Sequence, residues 1–300
     1  MKIIRNLSDL NACSIALGNF DGVHIAHKRI IEKCREYAKN NGILSGVLLF
    51  ENHTQTVLED KTFKVLSPLS EKIEMIEELG VDFIFIKSFD EDTMKMKKGE
   101  FFQFLTVKMK AKALFAGYDY TFGYKASGDS KKLLELGEEN GVYVEIIDEV
   151  DVSNKPISST SIREMVKLGE TEKVKKYLGR SYCVFGVVEK GKQNGTKMGI
   201  PTANLKYEDD KLLPPDGVYK GEFIINGNSY KSLINIGKNP TFDAEKRTLE
   251  VHIPDFNKNI YGEKVKVLFD EKIRDEIKFR TPRELTEQIK KDLEMLKKGK

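Results

Sequence analysis

The sequence predicts two domains: an α/β domain built on a parallel sheet, followed by an antiparallel β-barrel that ends in a helix. The chain has 300 residues, about the length of two average domains. Its first half alternates apolar runs with amphipathic segments, which is typical of strands and helices in regular turn. After about residue 180, short β-rich runs joined by turn residues replace that alternation. We place the boundary between Gly179 and Arg180, so that the domains are 1–179 and 180–300.

The first domain is expected to alternate strand and helix throughout. The predicted strands are 14–20, 43–50, 81–86, 112–116 and 142–147. The first predicted helix has one apolar face and ends at Gly42; that face carries Ile30, Ile31, Cys34, Tyr37 and Ala38. Three more helices are predicted: one after Ser70 that ends at Gly80, one at 100–110, and one at 129–140 that ends at Gly141. This alternation predicts a parallel sheet with right-handed crossovers.

The second domain is expected to consist of short antiparallel strands. The β-rich runs are 182–191, 217–227, 229–237, 248–253 and 263–269, with an Asn226-Gly227 turn typical of a hairpin. A final helix is predicted to begin with a capping box, Thr281 and Glu284, with Pro282 at its first position. Its apolar face carries Leu285, Ile289, Leu293 and Leu296.

Composition and charge exclude several classes of protein. Hydrophobic residues make up 40% and charged residues 32% of the chain, so it is neither low-complexity nor wholly disordered. The net charge of only +3 gives no reason to expect a nucleic-acid or anionic-membrane partner. Three widely spaced cysteines indicate neither a disulfide framework nor a thiolate metal site. With no signal peptide and no apolar run of membrane-spanning length, we expect a cytoplasmic protein.

The segment that follows the first strand combines glycines with two histidines. Residues 18–27 run directly into a helix, which places His24 and His27 where open α/β sheets bind phosphates. Gly18 and Gly22 permit a tight turn and close backbone approach. The two imidazoles can converge on a pentavalent phosphate or a departing pyrophosphate, which suggests nucleotidyl transfer without an enzyme nucleophile. The alternative is that the histidines are merely helix N-terminal residues.

Two further segments favour the phosphate-binding interpretation. Residues 115–123 follow a later strand and contain Asp119 and Tyr120. Residues 157–163 open another helix, where Ser159 and Thr160 hydroxyls, backbone amides and Arg163 form a candidate second phosphate clamp. A simple capping motif would account equally well for residues 158–160.

The second domain carries a glycine-punctuated segment, 191–204, that does not match the Walker spacing. Its backbone amides could still bind phosphates, and Thr202 and Asn204 offer hard oxygen ligands for Mg²⁺. A turn-rich connection between strands is the alternative interpretation. Glu250, in the predicted strand 248–253, could act as the general base towards a substrate hydroxyl, or could simply face outward.

These segments together resemble the bacterial family of bifunctional riboflavin kinases and FMN adenylyltransferases (FAD synthetases). In the first half the similar motifs are GNFDGVHIAH, GYDYTFG and ISSTSIR; in the second they are GIPTANL, PDGVY, NIGKNPTF, EVHI, IYGEKVKV and IRDEIKF. The resemblance implies a Rossmann-like nucleotidyltransferase domain followed by a riboflavin kinase barrel. It also implies that the barrel phosphorylates riboflavin with MgATP, and that the first domain transfers AMP from a second ATP to FMN, giving FAD and pyrophosphate.

The resemblance also implies roles for individual residues. His24 and His27 would bind ATP phosphates and stabilise the leaving pyrophosphate, in a loop formed by Gly18, Asn19, Asp21 and Gly22. Opposite them, phosphates would be held by Ser159, Thr160 and Arg163, and nucleotide or flavin would be contacted by Asp119 and Tyr120. In the barrel, Thr202 and Asn204 would bind Mg²⁺, and ATP would be cradled by the 191–199 loop with Gly191, Lys197 and Gly199. Glu250 would be the base, and flavin would be covered by Arg274 and Phe279.

One residue departs from the family pattern: Ala26 stands where a glycine usually separates the histidines. Its methyl group could hinder approach of the nucleotide backbone. Three alternatives therefore stay open: one active module only; a nucleotidyltransferase for another phosphorylated small molecule, such as nicotinamide mononucleotide or phosphopantetheine, with an inert barrel; and a flavin- or nucleotide-sensing module with an RNA partner. For the enzyme we expect a monomer or a weak homo-oligomer.

Overall fold

The computed structural model describes residues 1–51, 63–152, 155–191, 200–238 and 247–298. Backbone contacts divide the chain into two compact units, Met1–Ser159 and Thr160–Lys300. Helices at Ser159–Lys167 and Thr171–Leu178 thus group with the second unit. The division of the functional modules at 179/180 stays a prediction.

The first unit is built on a six-stranded, wholly parallel sheet with the order β1-β4-β3-β2-β5-β8. Its strands are β1 Lys2–Ile4, β2 Cys13–Ala16, β3 Leu44–Phe50, β4 Phe83–Lys87, β5 Ala111–Gly117 and β8 Tyr143–Ile147. Two short pairs accompany them: β6 Thr121–Phe122 with β7 Gly128–Asp129, and β9 Asp151–Val152 with β10 Lys155–Pro156.

Helices connect these strands. They are α1 Ile25–Asn41, α2 Leu69–Glu77, α3 Glu91–Lys95, α4 Lys98–Gln103 and α5 Ser130–Asn140, with single 3₁₀ turns at Leu7–Asp9 and Tyr124–Ala126. The core lies on both faces of the sheet; its fully buried side chains include Ile15, Leu114 and Phe115. From β2 the chain adds β3 and β4 on one side, and then β5 and β8 on the other. The carboxyl ends of β2 and β5 therefore meet at a topological switch point, where α/β sheets bind ligands.

Two elements of this unit differ from the sequence prediction. The strand predicted at 14–20 ends at Ala16, because Phe20 and Val23 have positive φ angles, 49° and 41°, that no strand can hold. The helix predicted at 100–110 is α4 followed by a π-helical turn, Phe104–Lys108. Apolar periodicity does not separate i→i+5 from i→i+4 hydrogen bonding over one turn.

The second unit contains a closed antiparallel barrel with the strand order β11-β12-β15-β14-β13-β16. Its strands are β11 Tyr182–Glu189, β12 Thr202–Lys206, β13 Gly217–Ile225, β14 Asn228–Lys238, β15 Arg247–His252 and β16 Lys264–Arg274. Two helices, α6 Ser159–Lys167 and α7 Thr171–Leu178, precede the barrel in the chain. Strand β12 lies where the sequence was interpreted as the end of a loop.

The last helix, α8 Pro282–Lys298, packs on the barrel as its apolar stripe predicts. Leu296 is buried with Val218 and Leu233, and Leu293 packs against them. The capping box is present at its start, since the Thr281 hydroxyl accepts a hydrogen bond from the Glu284 amide at 3.3 Å. The predicted fold class, a parallel α/β domain followed by an antiparallel barrel and a helix, is confirmed.

Candidate active sites

The loop between β2 and α1 has an unusual backbone. Phe20, Gly22 and Val23 all have positive φ angles, at 49°, 81° and 41°. The turn is closed by the Val23 amide, which donates to the Phe20 carbonyl at 3.1 Å. Such a conformation costs on the order of 1–3 kcal/mol for each non-glycine residue, so the surrounding structure must hold the loop in place.

His24 and His27 are brought together at the start of α1. His24 is the N-cap residue, and its Nδ1 accepts a hydrogen bond from the His27 amide at 3.3 Å. The two rings stack with centroids 3.5 Å apart and an angle of 14° between their planes. The pair thus lies at a helix N-terminus beside the switch point, where backbone N–H groups favour anions.

His27 is held as a neutral imidazole. Its pKa is lowered well below the ordinary value of 6.5, first by burial and then by the neighbouring His24 and Lys72. Its Nδ1 is enclosed and has no hydrogen-bond partner among the described residues. The ring edge packs against Phe20, with centroids 5.2 Å apart. A neutral imidazole can donate one hydrogen bond to a phosphate oxygen without carrying charge.

Asp21 anchors the loop instead of facing its mouth. Its buried carboxylate accepts hydrogen bonds from the Leu66 amide at 3.1 Å and the Ser67 amide at 2.9 Å. Its carbonyl oxygen accepts from the Ser159 hydroxyl at 2.9 Å. Ser159, from the third predicted motif, therefore contacts the first motif directly.

Asn19 is exposed at the turn, and its carbonyl accepts from the Nζ of Lys72 at 3.4 Å. Gly18 precedes it and lies close to the ring of Phe20, where an added Cβ would approach to 3.3 Å. Lys72 is 5% exposed on α2 and was not predicted from the sequence. The available signal was its position on the apolar stripe of α2, with Met75 and Ile76 three and four residues later.

The segment after β5 reaches the same switch point. The Tyr120 amide donates to the Gly117 carbonyl at 3.1 Å and closes a turn that leaves Asp119 exposed. Tyr120 is half-buried and stacks on Phe122 with centroids 5.9 Å apart. Burial raises the pKa of its hydroxyl far above the usual range. Asp119 is thus accessible to a ligand, whereas Tyr120 packs at the edge of the core.

Thr160 and Arg163 belong to the second compact unit. Arg163 is buried on α6 and donates to the Thr160 hydroxyl at 3.2 Å. Their predicted place opposite the histidines stays a prediction.

In the barrel, three polar residues form a row across three strands. Asn204 of β12 pairs with Glu250 of β15, which pairs on its other side with Asn235 of β14. The Thr202 hydroxyl, two residues before Asn204 and on the same face, donates to the Glu250 carboxylate at 3.3 Å. Asn235 was not predicted, since only pairing between distant strands places it beside Glu250.

The segment that opens the predicted ATP-binding loop approaches this row. A Cβ on Gly191 would lie 2.2 Å from the side-chain Nδ2 of Asn204, so only glycine fits against that side chain. Lys197 and Gly199 lie outside the described residues.

The donor set of the row suits Mg²⁺. Thr202, Asn204 and Glu250 offer hydroxyl, amide and carboxylate oxygens, the hard ligands that Mg²⁺ takes together with water and substrate phosphates. Within the described ranges, no group of three or more His, Cys, Asp or Glu side chains could hold a metal ion. A metal here would therefore depend on neutral oxygens and on the substrate for most of its ligands.

Arg274 and Phe279 lie at the end of β16 and beyond it. The Arg274 guanidinium makes a two-pronged ion pair with Asp292 of α8, with N···O distances of 2.8 and 3.1 Å. It also lies 5.9 Å from the centroid of the Phe279 ring. In this structure Arg274 therefore ties the last helix to the barrel, and its contact with flavin stays a prediction.

Family comparisons match both halves of the chain. A family model described as FAD synthetase matches residues 6–161, and one described as riboflavin kinase matches residues 178–299. A bifunctional riboflavin kinase/FMN adenylyltransferase of Listeria monocytogenes is 34% identical over 288 residues, which are 95% of this chain and 91% of that protein. The chain belongs to this family. The predicted two-module enzyme class for FAD biosynthesis is thereby confirmed.

Other relatives in the riboflavin kinase/FMN adenylyltransferase family agree. That of Bacillus subtilis is 35% identical over 93% of this chain and 89% of its own length, and that of Escherichia coli K12 is 31% identical over 97% and 96%. A solved structure from Streptococcus pneumoniae, described as a macrolide-efflux protein, has a TM-score of 0.88 and 31% identity, with 99% of each chain covered. Among the described residues, no helix combines the length and apolar character needed to span a bilayer.

Proposed function

We propose that the chain makes FAD from riboflavin in two ATP-dependent steps at two separate sites. In the barrel, the γ-phosphoryl group of ATP passes to the ribityl hydroxyl of riboflavin, giving FMN and ADP. In the first unit, the AMP moiety of a second ATP joins the phosphate of FMN, giving FAD and pyrophosphate. The observation that carries the proposal is the stacked pair His24 and His27 at the switch point, in the same chain as the Glu250 row of the barrel.

In the adenylyl transfer, a phosphate oxygen of FMN attacks the α-phosphorus of ATP, and the bond to the β-phosphate breaks. The protein supplies alignment and hydrogen-bond donors, because FMN itself is the nucleophile. Since Nδ1 of His24 accepts a backbone hydrogen bond, its neutral ring carries the proton on Nε2, the atom that can donate to the phosphates. His27, the loop amides at Gly18, Asn19 and Gly22, and the N-terminus of α1 add further donors.

The remaining residues of this site are assigned by motif and position. Ser159, Thr160 and Arg163 would hold phosphates, and Asp119 would contact nucleotide or flavin from the neighbouring strand end. Tyr120, which packs at the core edge, would contact the ligand through its ring face. Asp21 would act by fixing the loop through its bonds to Leu66 and Ser67.

In the kinase step, the carboxylate of Glu250 takes the proton of the ribityl hydroxyl as its oxygen attacks the γ-phosphorus, and the bond to ADP breaks. The Thr202 hydroxyl orients that carboxylate. Mg²⁺, held by Thr202 and Asn204, would neutralise charge on the phosphates. Gly191, Lys197 and Gly199 of the 191–199 loop would cradle ATP, and Arg274 and Phe279 would cover the flavin.

We further propose a cytoplasmic monomer or weak homo-oligomer without a nucleic-acid partner. All three cysteines are free and buried, as a reducing compartment allows, and the net charge is only +3.

The test is to incubate the purified chain with riboflavin, ATP and Mg²⁺ and to separate riboflavin, FMN and FAD chromatographically over time. FMN should appear first and FAD after it. Glu250→Gln should abolish FMN formation while supplied FMN still becomes FAD, and His27→Ala should do the reverse.

Each other outcome contradicts part of the proposal. FMN without FAD would mean a lost adenylyltransferase, and FAD formed only from supplied FMN would mean an inert barrel. If nicotinamide mononucleotide or phosphopantetheine were adenylylated in preference to FMN, the first unit would serve another substrate. If either single substitution abolished both activities in a folded protein, the two-site assignment would be wrong.

A further inference from the structure

A lysine lies buried beside the histidine loop. Lys72 is 5% exposed and occupies the apolar face of α2 with Met75 and Ile76. Charged side chains are rarely buried so deeply, because the loss of hydration is costly. The position of Lys72 is therefore one that the fold maintains against a cost.

The ammonium group of Lys72 contacts the loop where its backbone turns. Its Nζ donates to the carbonyl of Asn19 at 3.4 Å. Asn19 immediately precedes Phe20, the first residue of the loop with a positive φ angle. A hydrogen bond from a cation to this carbonyl helps to hold a backbone that is strained on its own.

The same ammonium also acts on the histidine pair. Its positive charge contributes to the lowered pKa of His27, after burial and His24. The field of Lys72 therefore reaches the imidazole. Because His27 is neutral, it brings a donor but no charge, whereas an approaching triphosphate carries several negative charges.

We infer that Lys72 is a positioning residue for the polyphosphate of ATP in adenylyl transfer. It holds the Asn19 carbonyl, which fixes the loop that carries the phosphate donors, and it places a permanent cation next to His27. The inference rests on the proposed function. It predicts an effect on ATP and not on FMN, since the contacts of Lys72 lie on the phosphate-binding loop.

The experiment measures FMN adenylylation by the full-length chain, with ATP and FMN varied in turn. In Lys72→Met the KM for ATP should rise about tenfold or more, as for the loss of a charge-assisted contact, while the KM for FMN changes less than about threefold. Lys72→Arg retains a cation and should restore most of the ATP affinity. Lys72→Gln retains a donor without charge and should fall between the two.

Two controls accompany these variants. The riboflavin kinase activity of the same molecules reports on the second unit and should not change. Lys33→Met removes an exposed lysine of α1 that pairs with Glu36 at 3.2 Å, and should leave both KM values unchanged.

The inference is overturned if Lys72→Met keeps an ATP KM within about twofold of the wild type, or if the FMN KM rises as much as the ATP KM. If Lys72→Met does not fold, as judged by circular dichroism, Lys72→Gln decides by the same comparison of the two KM values. A wild-type chain that forms no FAD from FMN would instead contradict the proposed function.

Discussion

Ala26 is the second residue of α1 and lies between the stacked histidines. It is half-buried in regular helical backbone, without the positive φ angle that would call for glycine. We expect Ala26→Gly to lower the unfolding free energy by about 0.5–1 kcal/mol, because glycine loses more backbone entropy in a helix. The rate of FAD formation should change less than about threefold. Thermal unfolding and initial rates measure the two effects; a tenfold gain in rate would show that the methyl group obstructs the nucleotide.

The buried imidazole of His27 links stability to pH. Its pKa is low in the folded protein because of burial, His24 and Lys72, and returns to about 6.5 on unfolding. Below that pH the unfolded chain binds a proton that the folded chain does not, so the unfolding free energy should fall as the pH falls; above it, this contribution is constant. Urea unfolding between pH 8 and pH 5 should show a shallower decline for His27→Gln.

A direct titration provides the control for that experiment. The ring protons of His27, assigned by their loss in His27→Gln, should titrate well below pH 6.5 in the NMR spectrum of the folded protein. A midpoint at or above 6.5 would contradict the neutral imidazole described above.

At the scale of elements, α8 is attached to the barrel by a buried ion pair. The side chains of Arg274 and Asp292 are 16% and 1% exposed. We expect Asp292→Ala to lower the unfolding free energy by about 3–5 kcal/mol, since it leaves a buried guanidinium without its carboxylate. Urea unfolding followed by circular dichroism measures the loss.

The same helix offers a matched control. Arg283 and Glu287 form an exposed pair one turn apart, with side chains 89% and 58% exposed. Glu287→Ala should cost only about 0.5 kcal/mol or less. If the two substitutions cost the same, the Arg274–Asp292 pair contributes no more than a surface pair.

Local signals predicted the elements best. The ends of α1 and α5 were predicted because Gly42 and Gly141 adopt left-handed caps, with φ angles of 64° and 65°. Strand β12 was missed, since Thr202 to Asn204 are small and polar and become a strand only by pairing with β15. No local pattern reports such pairing.

The same reason divides the site residues. His24, His27 and Asp21 stand in one short segment and were predicted from it. Lys72 and Asn235 come from segments remote in sequence, and only the fold brings them to the loop and to Glu250. Their side chains carry chemistry that a single segment does not reveal.

At the scale of the whole molecule, helices α6 and α7 group with the barrel unit. Helix α7 packs against β11 and β16, and the Thr171 hydroxyl donates to the Asp270 carbonyl at 2.9 Å. A fragment of residues 160–300 should therefore have a higher melting temperature than one of residues 180–300. Thermal unfolding of both fragments, with riboflavin kinase activity as the check on folding, tests this. Equal melting temperatures would place the boundary at 179/180.

The division into two compact units on one polypeptide has a consequence for metabolism. Two separately encoded enzymes can be made in any ratio, but here every copy of the FMN-forming centre comes with one FAD-forming centre. Expression level therefore cannot alter the balance between the two flavin nucleotides. That balance must be set by the relative turnover of the two centres and by how each responds to the ATP that both consume.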